Sequence, residues 1–226
     1  MCFSAPISFS TGAVLLSISF YTIHNSITKN KKYLLFASMP LFFGIQQIIE
    51  GLVWVSLRGN HLFFLKLTSL GFLFFALFFW PVFSPLSMYF IAEKEESTRR
   101  KLLLALLGFG VVIGAAMYLP IIMGINPFST KTTCGSIHYD WVIPQLIKDI
   151  YRLMYLFITI APFLIIPNIK IRIFAILLLA SSIISNYFYL GRRVSVWCFF
   201  AAILSIFIAY ILHRLPKRAA GIGPLH

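Results

Sequence analysis

The feature that most constrains this chain is a series of apolar runs, each close to the length of a membrane-spanning helix. A helix needs about 20 predominantly apolar residues to cross the hydrocarbon core of a bilayer. Seven such runs occupy residues 5–27, 33–57, 62–92, 102–124, 149–167, 173–190 and 195–213. The pattern predicts an all-α, polytopic membrane protein, a bundle of about seven transmembrane helices that forms one domain over residues 1–226.

The composition favours lipid over water as the surroundings of this chain. Sixty per cent of the residues are hydrophobic and only 11% are charged, whereas soluble domains carry about 25% charged residues. The net charge of +13 does not indicate a nucleic-acid partner, because the basic residues cluster in the connectors between apolar runs, where they orient helices. The lipid bilayer is the expected partner, and nucleic acid is not.

The distribution of lysine and arginine predicts the orientation. The connectors after runs one, three and five and the tail over residues 214–226 together hold twelve basic residues: Lys29, Lys31, Lys32, Lys94, Arg99, Arg100, Lys101, Lys170, Arg172, Arg214, Lys217 and Arg218. The opposite connectors hold four, with three more near helix ends: Arg58, Lys131, Arg192 and Arg193, then Lys66, Lys148 and Arg152. The excess marks the cytoplasmic side. We therefore predict an extracytoplasmic N-terminus, a cytoplasmic C-terminus and an outer connector over residues 125–148.

The first and third runs raise separate questions. No lysine or arginine precedes the first run, so it lacks the basic start of a secretory signal peptide and is expected to be a retained span. The third run contains Pro81 and Pro85, and prolines four residues apart kink or break a helix. This run is either one bent span or a span with an interfacial extension.

The three cysteines converge on the predicted outer face. Cys2 precedes the first run, Cys134 lies in the outer connector, and Cys198 lies near the outer start of the last run. His138 and His61 lie on the same side. Thiolate and imidazole are the ligands of zinc, copper(I), iron and haem, and paired thiols on an oxidising face form disulfides. A transition-metal or haem site, thiol redox chemistry and purely structural cysteines all remain open.

A polar stripe interrupts the second run. Gln46, Gln47 and Glu50 occur within five residues, and Trp54 follows one turn later. An ionisable side chain within a membrane span is costly, so it marks a functional site by default. Glu50 is a candidate proton carrier, a cation ligand, or a hydrogen-bond partner of Asn186 and the serines of run six; helix-to-helix packing is the structural alternative.

Four segments resemble an uncharacterised bacterial family of small multipass membrane proteins. They are the opening MCFSA, the stretch PLFFGIQQIIEGLVW over residues 40–54, the WP of run three and the run SVWCFFAA over residues 195–202. The resemblance implies an integral membrane protein of the bacterial inner membrane. It also implies that the recurring residues matter, which here are Cys2, Gln46, Gln47, Glu50, Gly51, Trp197 and Cys198. Residues 135–140 resemble a weaker family element in which the histidine is displaced.

Three function classes follow from these features. The sequence does not decide whether the protein is an enzyme. The first is a metal or haem site, or thiol redox chemistry, at the outer cysteine and histidine cluster, and we favour it slightly. The second is a small cation- or proton-coupled transporter or channel that uses Glu50. The third is a membrane-embedded enzyme acting on a lipid or hydrophobic substrate through a cysteine nucleophile, with Glu50 or His138 as its base.

Overall fold

The computed structural model describes residues 4–93, 95–133, 136–188 and 193–214. Within these ranges the chain forms seven helices. We number them α1 (Ala5–Lys29), α2 (Lys31–Arg58), α3 (Leu62–Ile91), α4 (Ser97–Ile122), α5 (Gln145–Ile165), α6 (Ile169–Phe188) and α7 (Arg193–His213). Five of these helices, α1 to α4 and α7, are long and apolar enough to cross a membrane. The predicted all-α fold is confirmed, and the apolar helices support a multipass membrane protein.

A β-hairpin lies between α4 and α5, in a connector for which the sequence predicted no regular structure. Strand β1 (Phe128–Thr133) pairs antiparallel with strand β2 (Ser136–Trp141). The segment forms strands although it is polar, because its side chains face two different surroundings. Ile137 and Tyr139 of β2 are buried, whereas Asp140 is exposed. Threonines and aromatic residues also favour extended backbone. The hairpin packs through β2 on α7.

Successive helices run in opposite directions, which gives the bundle two distinct ends. At one end the Lys29 ammonium donates to the carbonyl oxygens of Leu212 and His213, so the ends of α1 and α7 meet. Lys32 forms an ion pair there with Glu93, just after α3. The other end, which we call the hairpin end, holds the hairpin, the starts of α1, α3, α5 and α7, and the ends of α2, α4 and α6.

Helix α3 is one continuous helix despite its two prolines. It widens into a π-helical turn over Phe74–Phe79, immediately before Trp80 and Pro81. Pro85 has no amide hydrogen to donate to the carbonyl of Pro81, four residues earlier. Gly110 of α4 packs directly against that carbonyl. The wide turn and the glycine together accommodate both prolines within one helix.

Helix α2 is central in the bundle. Fifty-six per cent of its apolar segment is buried, compared with 28% for α1, α3 and α4. It packs closely on α1, where Gly12 and Gly44 face each other so that the two backbones nearly touch. Small residues allow this kind of close approach between helices in membranes. The polar stripe on α2 is therefore enclosed by protein rather than lipid.

Candidate functional site

A polar cluster surrounds Glu50 in the interior of the bundle. The Glu50 side chain is only 3% exposed. The Gln47 amide nitrogen donates to Glu50 Oε2 at 3.1 Å, and the Ser195 hydroxyl of α7 donates to Glu50 Oε1. The carboxyl group thus joins α2 to α7, and both of its oxygens accept hydrogen bonds from buried donors.

Trp80 closes the side of this cluster that faces away from the hairpin end. Its indole nitrogen donates to Gln46 Oε1 at 2.8 Å, and its ring stacks on Phe43 at a centroid distance of 3.8 Å. The main apolar core, which includes Phe36, Phe163 and Leu103, lies on the same side as Trp80 and Phe43.

The predicted stripe is buried, and the partners of Glu50 among the described residues are not the ones that the sequence suggested. Gln46 and Gln47 are fully buried, and Trp54 is 6% exposed. The bonds of Glu50 go to its neighbour Gln47 and to Ser195 of α7 rather than to the serines of run six, because α2 packs against α7 on this face. Ser181 of α6 instead donates to the Leu178 carbonyl. The side chain of Asn186 lies outside the described residues.

Cys198 and Tyr139 extend the cluster towards the hairpin end. The Cys198 thiol is free and buried, one turn after Ser195, and it lies beside the Gln46 amide. Tyr139 of β2 is 6% exposed and stacks on Phe72 with ring centroids 4.9 Å apart. Burial, with smaller contributions from Glu50 and Cys198, raises the pKa of the Tyr139 phenol well above its usual range. This phenol is therefore a neutral hydrogen-bonding group at physiological pH.

The predicted metal and redox candidates do not form a cluster in the part of the chain that the structure describes. There, no group of three or more histidine, cysteine, aspartate or glutamate side chains is arranged to hold a metal ion. His61 is exposed just before α3, whereas His138 and Cys198 both line the cavity described next. Cys2 and Cys134 lie outside the described residues, so the cysteine cluster stays a prediction.

A cavity of about 290 Å³ opens at the hairpin end, between the hairpin and helices α3 to α7. Its rim carries the exposed residues Asp140 and Gln145 and the partly exposed cations Lys148 and Arg152. Its inner wall is formed by the buried residues Tyr139, Tyr155, Ser185 and Cys198 and by the partly buried Trp197, from β2, α5, α6 and α7. Tyr139 and Cys198 thus separate the cavity from Glu50. Ala76 and Leu77, from the π-helical turn of α3, complete one side.

Each cation on the rim is paired with a carboxylate. Lys148 Nζ lies 3.1 Å from Asp140, and Arg152 lies 3.0 Å from Asp149. The side chain of Arg152 is 36% exposed and that of Lys148 is 24% exposed. An ion pair at the surface contributes about 0–1 kcal/mol, so the more exposed pair, that of Arg152, is the weaker constraint on its cation.

The inner wall contains polar atoms that have no hydrogen-bond partner among the described residues. They are the Tyr139 hydroxyl, the Ser185 hydroxyl and the Trp197 indole nitrogen. Buried polar groups in folded proteins are nearly always paired, and an unpaired one costs about 1–3 kcal/mol. Three of the nine such atoms among the described residues therefore belong to residues that line the cavity; others, such as Gln46 Nε2 and Trp54 Nε1, lie elsewhere in the bundle.

Comparison with known proteins agrees with the resemblance noted in the sequence. A family model described as "Family of unknown function (DUF6629)" matches residues 1–221, so the chain belongs to that family. No curated protein matches the chain. No solved structure matches it either.

Proposed function

We propose that this member of DUF6629 is a membrane protein that binds a small amphiphilic molecule with an anionic group in the cavity at the hairpin end. The observation that carries the proposal is that charged residues and aromatic residues line different parts of the cavity. Two partly exposed cations lie on the rim, and the inner wall is aromatic and largely buried. Ligand sites in proteins are concave, mostly apolar and equipped with a few polar groups that fix orientation.

The size of the cavity supports a small ligand. Its volume of about 290 Å³ is close to the lower limit of about 300 Å³ for small-molecule pockets. Tyr155 and Trp197 meet edge to face, with ring centroids 5.6 Å apart. Such a pair suits an aromatic or branched apolar body, since aromatic rings favour edge-to-face contacts.

The charge of the rim supports an anionic group at the exposed end of the ligand. Lys148 and Arg152 lie one turn apart on α5 and both line the cavity, whereas Asp149, the partner of Arg152, does not line it. A carboxylate or phosphate between them would form charge-assisted hydrogen bonds, which are roughly twice as strong as neutral ones.

Removing the rim cations tests this proposal. We expect the double variant Lys148→Ala/Arg152→Ala to bind radiolabelled 4-phenylbutanoate about tenfold or more weakly than the wild type, because each lost charged hydrogen bond costs about 1.5–3 kcal/mol. The measurement is equilibrium binding to purified protein in nanodiscs. Lys131→Ala is the matched control, since Lys131 is exposed on β1 and does not line the cavity. Equal affinity of the double variant and the wild type would contradict the proposal.

We infer further that the hairpin end faces the extracytoplasmic side, with the N-terminus outside and the C-terminus in the cytoplasm. The excess of lysine and arginine at the opposite end supports this orientation. Among the described residues these include Lys29, Lys32 and Arg100. A C-terminal fusion to a fluorescent protein that matures only in the cytoplasm tests this orientation. We expect the fusion to fluoresce; a fusion that is produced but does not fluoresce would indicate the opposite orientation.

The transition-metal or haem and thiol-redox hypothesis and the cation- or proton-coupled transport hypothesis remain predictions from the sequence. The first depends on Cys2 and Cys134 joining Cys198. The second requires a path for ions or protons from Glu50 to each end of the bundle. The packing of Trp80 on Phe43 closes the path that leads away from the hairpin end. A bound small molecule requires neither, so ligand binding is the function that the described geometry supports best.

A further inference from the structure

We propose that the end of the bundle opposite the hairpin binds one anionic phospholipid on the adjoining faces of α6 and α7. The lipid phosphate lies beside Tyr210, where Lys170 and Arg214 contact it, and the acyl chains follow the exposed apolar residues of the two helices. This surface, which we call the Tyr210 surface, is separate from the cavity at the hairpin end. The proposal does not depend on the function proposed for that cavity.

Three cations from different parts of the chain meet at the last turn of α7. Lys170 Nζ, at the start of α6, lies 5.5 Å from the centroid of the Tyr210 ring, and the guanidinium carbon of Arg214 lies 5.9 Å from the same centroid. Lys29 of α1 donates to the last two carbonyl oxygens of α7 at 3.2 and 2.7 Å. Because Lys29 offsets the partial negative charge of those carbonyls, the end of α7 does not repel an anion.

The cations of the Tyr210 surface have no carboxylate partner in the described ranges of the chain. The ion pairs found there use the cations Lys32, Arg99, Lys148 and Arg152. Arg214 is exposed and Lys170 is partly exposed, so an anion from outside the protein can reach both. A contact with an aromatic ring leaves the N–H donors of a cation available, and such donors form strong hydrogen bonds with phosphate oxygens.

The helix faces that carry these cations continue as exposed apolar surface. On α6, Ile173 and Leu177 lie three and seven residues after Lys170 and are 40% and 38% exposed. On α7, Ile206 and Ile203 lie four and seven residues before the tyrosine and are 41% and 42% exposed. Residues at these spacings share a helix face. Since α6 and α7 pack on each other, two apolar stripes lead side by side from the cations towards the middle of the bundle.

The combination of cations and apolar stripes favours a lipid over a small soluble anion. A free phosphate or a phosphate ester would contact the cations and leave the stripes uncovered, whereas an anionic phospholipid covers both. Tyr210 is 47% exposed, and tyrosine is enriched at the level of lipid headgroups. Lysine and arginine at helix ends attract anionic lipids, by about fivefold in affinity for each residue. The chemistry of the surface therefore matches one phospholipid with a net negative headgroup.

A matched pair of lipids isolates the charge of the headgroup. Phosphatidylglycerol and phosphatidylcholine with the same palmitoyl and oleoyl chains both contain a phosphate, but only phosphatidylglycerol carries a net negative charge. We expect the purified wild type in detergent to bind one phosphatidylglycerol about tenfold more tightly than phosphatidylcholine, because two cations contact its headgroup. The measurement is native mass spectrometry of lipid titrations, which resolves the number of lipids bound to each protein molecule.

Variants that remove two charges locate the bound lipid. We expect Lys170→Gln/Arg214→Gln to bind phosphatidylglycerol about tenfold more weakly and phosphatidylcholine within about twofold of the wild type. Arg58→Gln/Lys131→Gln is the matched control, because it removes one arginine and one lysine from exposed positions at the hairpin end. This control should keep the full preference for phosphatidylglycerol.

Each other outcome contradicts the lipid site. Equal affinity of the wild type for the two lipids overturns it, as does a preference that survives Lys170→Gln/Arg214→Gln. Displacement of the bound phosphatidylglycerol by excess sn-glycerol 3-phosphate, which has the phosphate but no acyl chains, would assign the surface to small phosphate esters instead. If the double variant does not fold, Lys170→Gln alone decides: a loss of about fivefold supports the site, and unchanged affinity overturns it.

Discussion

Replacing Gly110 with alanine is expected to abolish stable folding or to lower the unfolding free energy by about 3 kcal/mol or more, the upper range for overpacking in a core. A Cβ atom at Gly110 would lie 2.1 Å from the carbonyl oxygen of Pro81 and 2.8 Å from its carbon. Neither atom belongs to a flexible side chain, so α3 and α4 would have to separate. The measurement is the fraction of protein that remains monodisperse by size exclusion after heating in detergent.

Gly108 provides the matched control on the same helix. A Cβ atom there would have no heavy atom within 4 Å. Since alanine is favoured over glycine in helices by up to about 1 kcal/mol, Gly108→Ala should be neutral or slightly stabilising. Equal heat resistance of Gly110→Ala and Gly108→Ala would show that α4 does not pack against Pro81 as described.

Replacing Glu50 with alanine is expected to lower the unfolding free energy by about 2–6 kcal/mol, because it leaves two buried donors without an acceptor at about 1–3 kcal/mol each. The donors are Gln47, which is fully buried, and Ser195, which is 2% exposed. The change also removes a contact between α2 and α7. The same thermal assay in detergent measures the loss, as a fall in the midpoint of heat-induced aggregation.

Glu50→Gln removes the charge but keeps the volume of the side chain and one hydrogen-bond acceptor. Glutamine has nearly the same size and keeps one carbonyl oxygen that can accept from Ser195 or Gln47. We therefore expect Glu50→Gln to lose less than half of the stability that Glu50→Ala loses. If both variants are as stable as the wild type, the bonds between Glu50 and its partners do not stabilise the bundle.

The helices were predictable because their signal is local. An apolar run long enough to span a bilayer identifies a helix without any knowledge of its neighbours. Each of the seven runs overlaps one observed helix, and five of these helices are long and apolar enough to cross a membrane. The hairpin was not predictable in the same way. Its strands are polar, as in FSTKTT, and their pairing depends on Tyr139 packing against Phe72 of a distant helix.

Only the part of the site that lies on a single helix was predictable from the sequence. Spacing within α2 identified Gln46, Gln47, Glu50 and Trp54 as one polar stripe, since residues three and four apart share a helix face. It did not identify Ser195, the partner of Glu50, because that contact spans 145 residues. The lateral order of apolar helices depends on close packing and small residues, such as Gly12 against Gly44, rather than on hydrophobic pattern.

The cavity was even less predictable from the sequence than the cluster around Glu50. In the sequence, Lys148 and Arg152 are charged residues near a helix end, and Ser185 is one of several serines in run six. Their shared location depends on the hairpin, which brings Tyr139 and Asp140 to the same opening. The spacing of Lys148 and Arg152, one turn apart on an amphipathic helix, was the one feature that pointed to a shared polar face.

Photolabelling would show directly whether the cavity at the hairpin end is a binding site. 4-Phenylbutanoate with a diazirine on its ring would be bound to the protein in nanodiscs and irradiated, and its adducts would be mapped by peptide mass spectrometry. We expect adducts on cavity residues such as Met117, Leu156 and Trp197, which disappear with excess unlabelled 4-phenylbutanoate. Adducts confined to exposed apolar residues outside the cavity, such as Phe63 and Leu153, and unaffected by the competitor would contradict it.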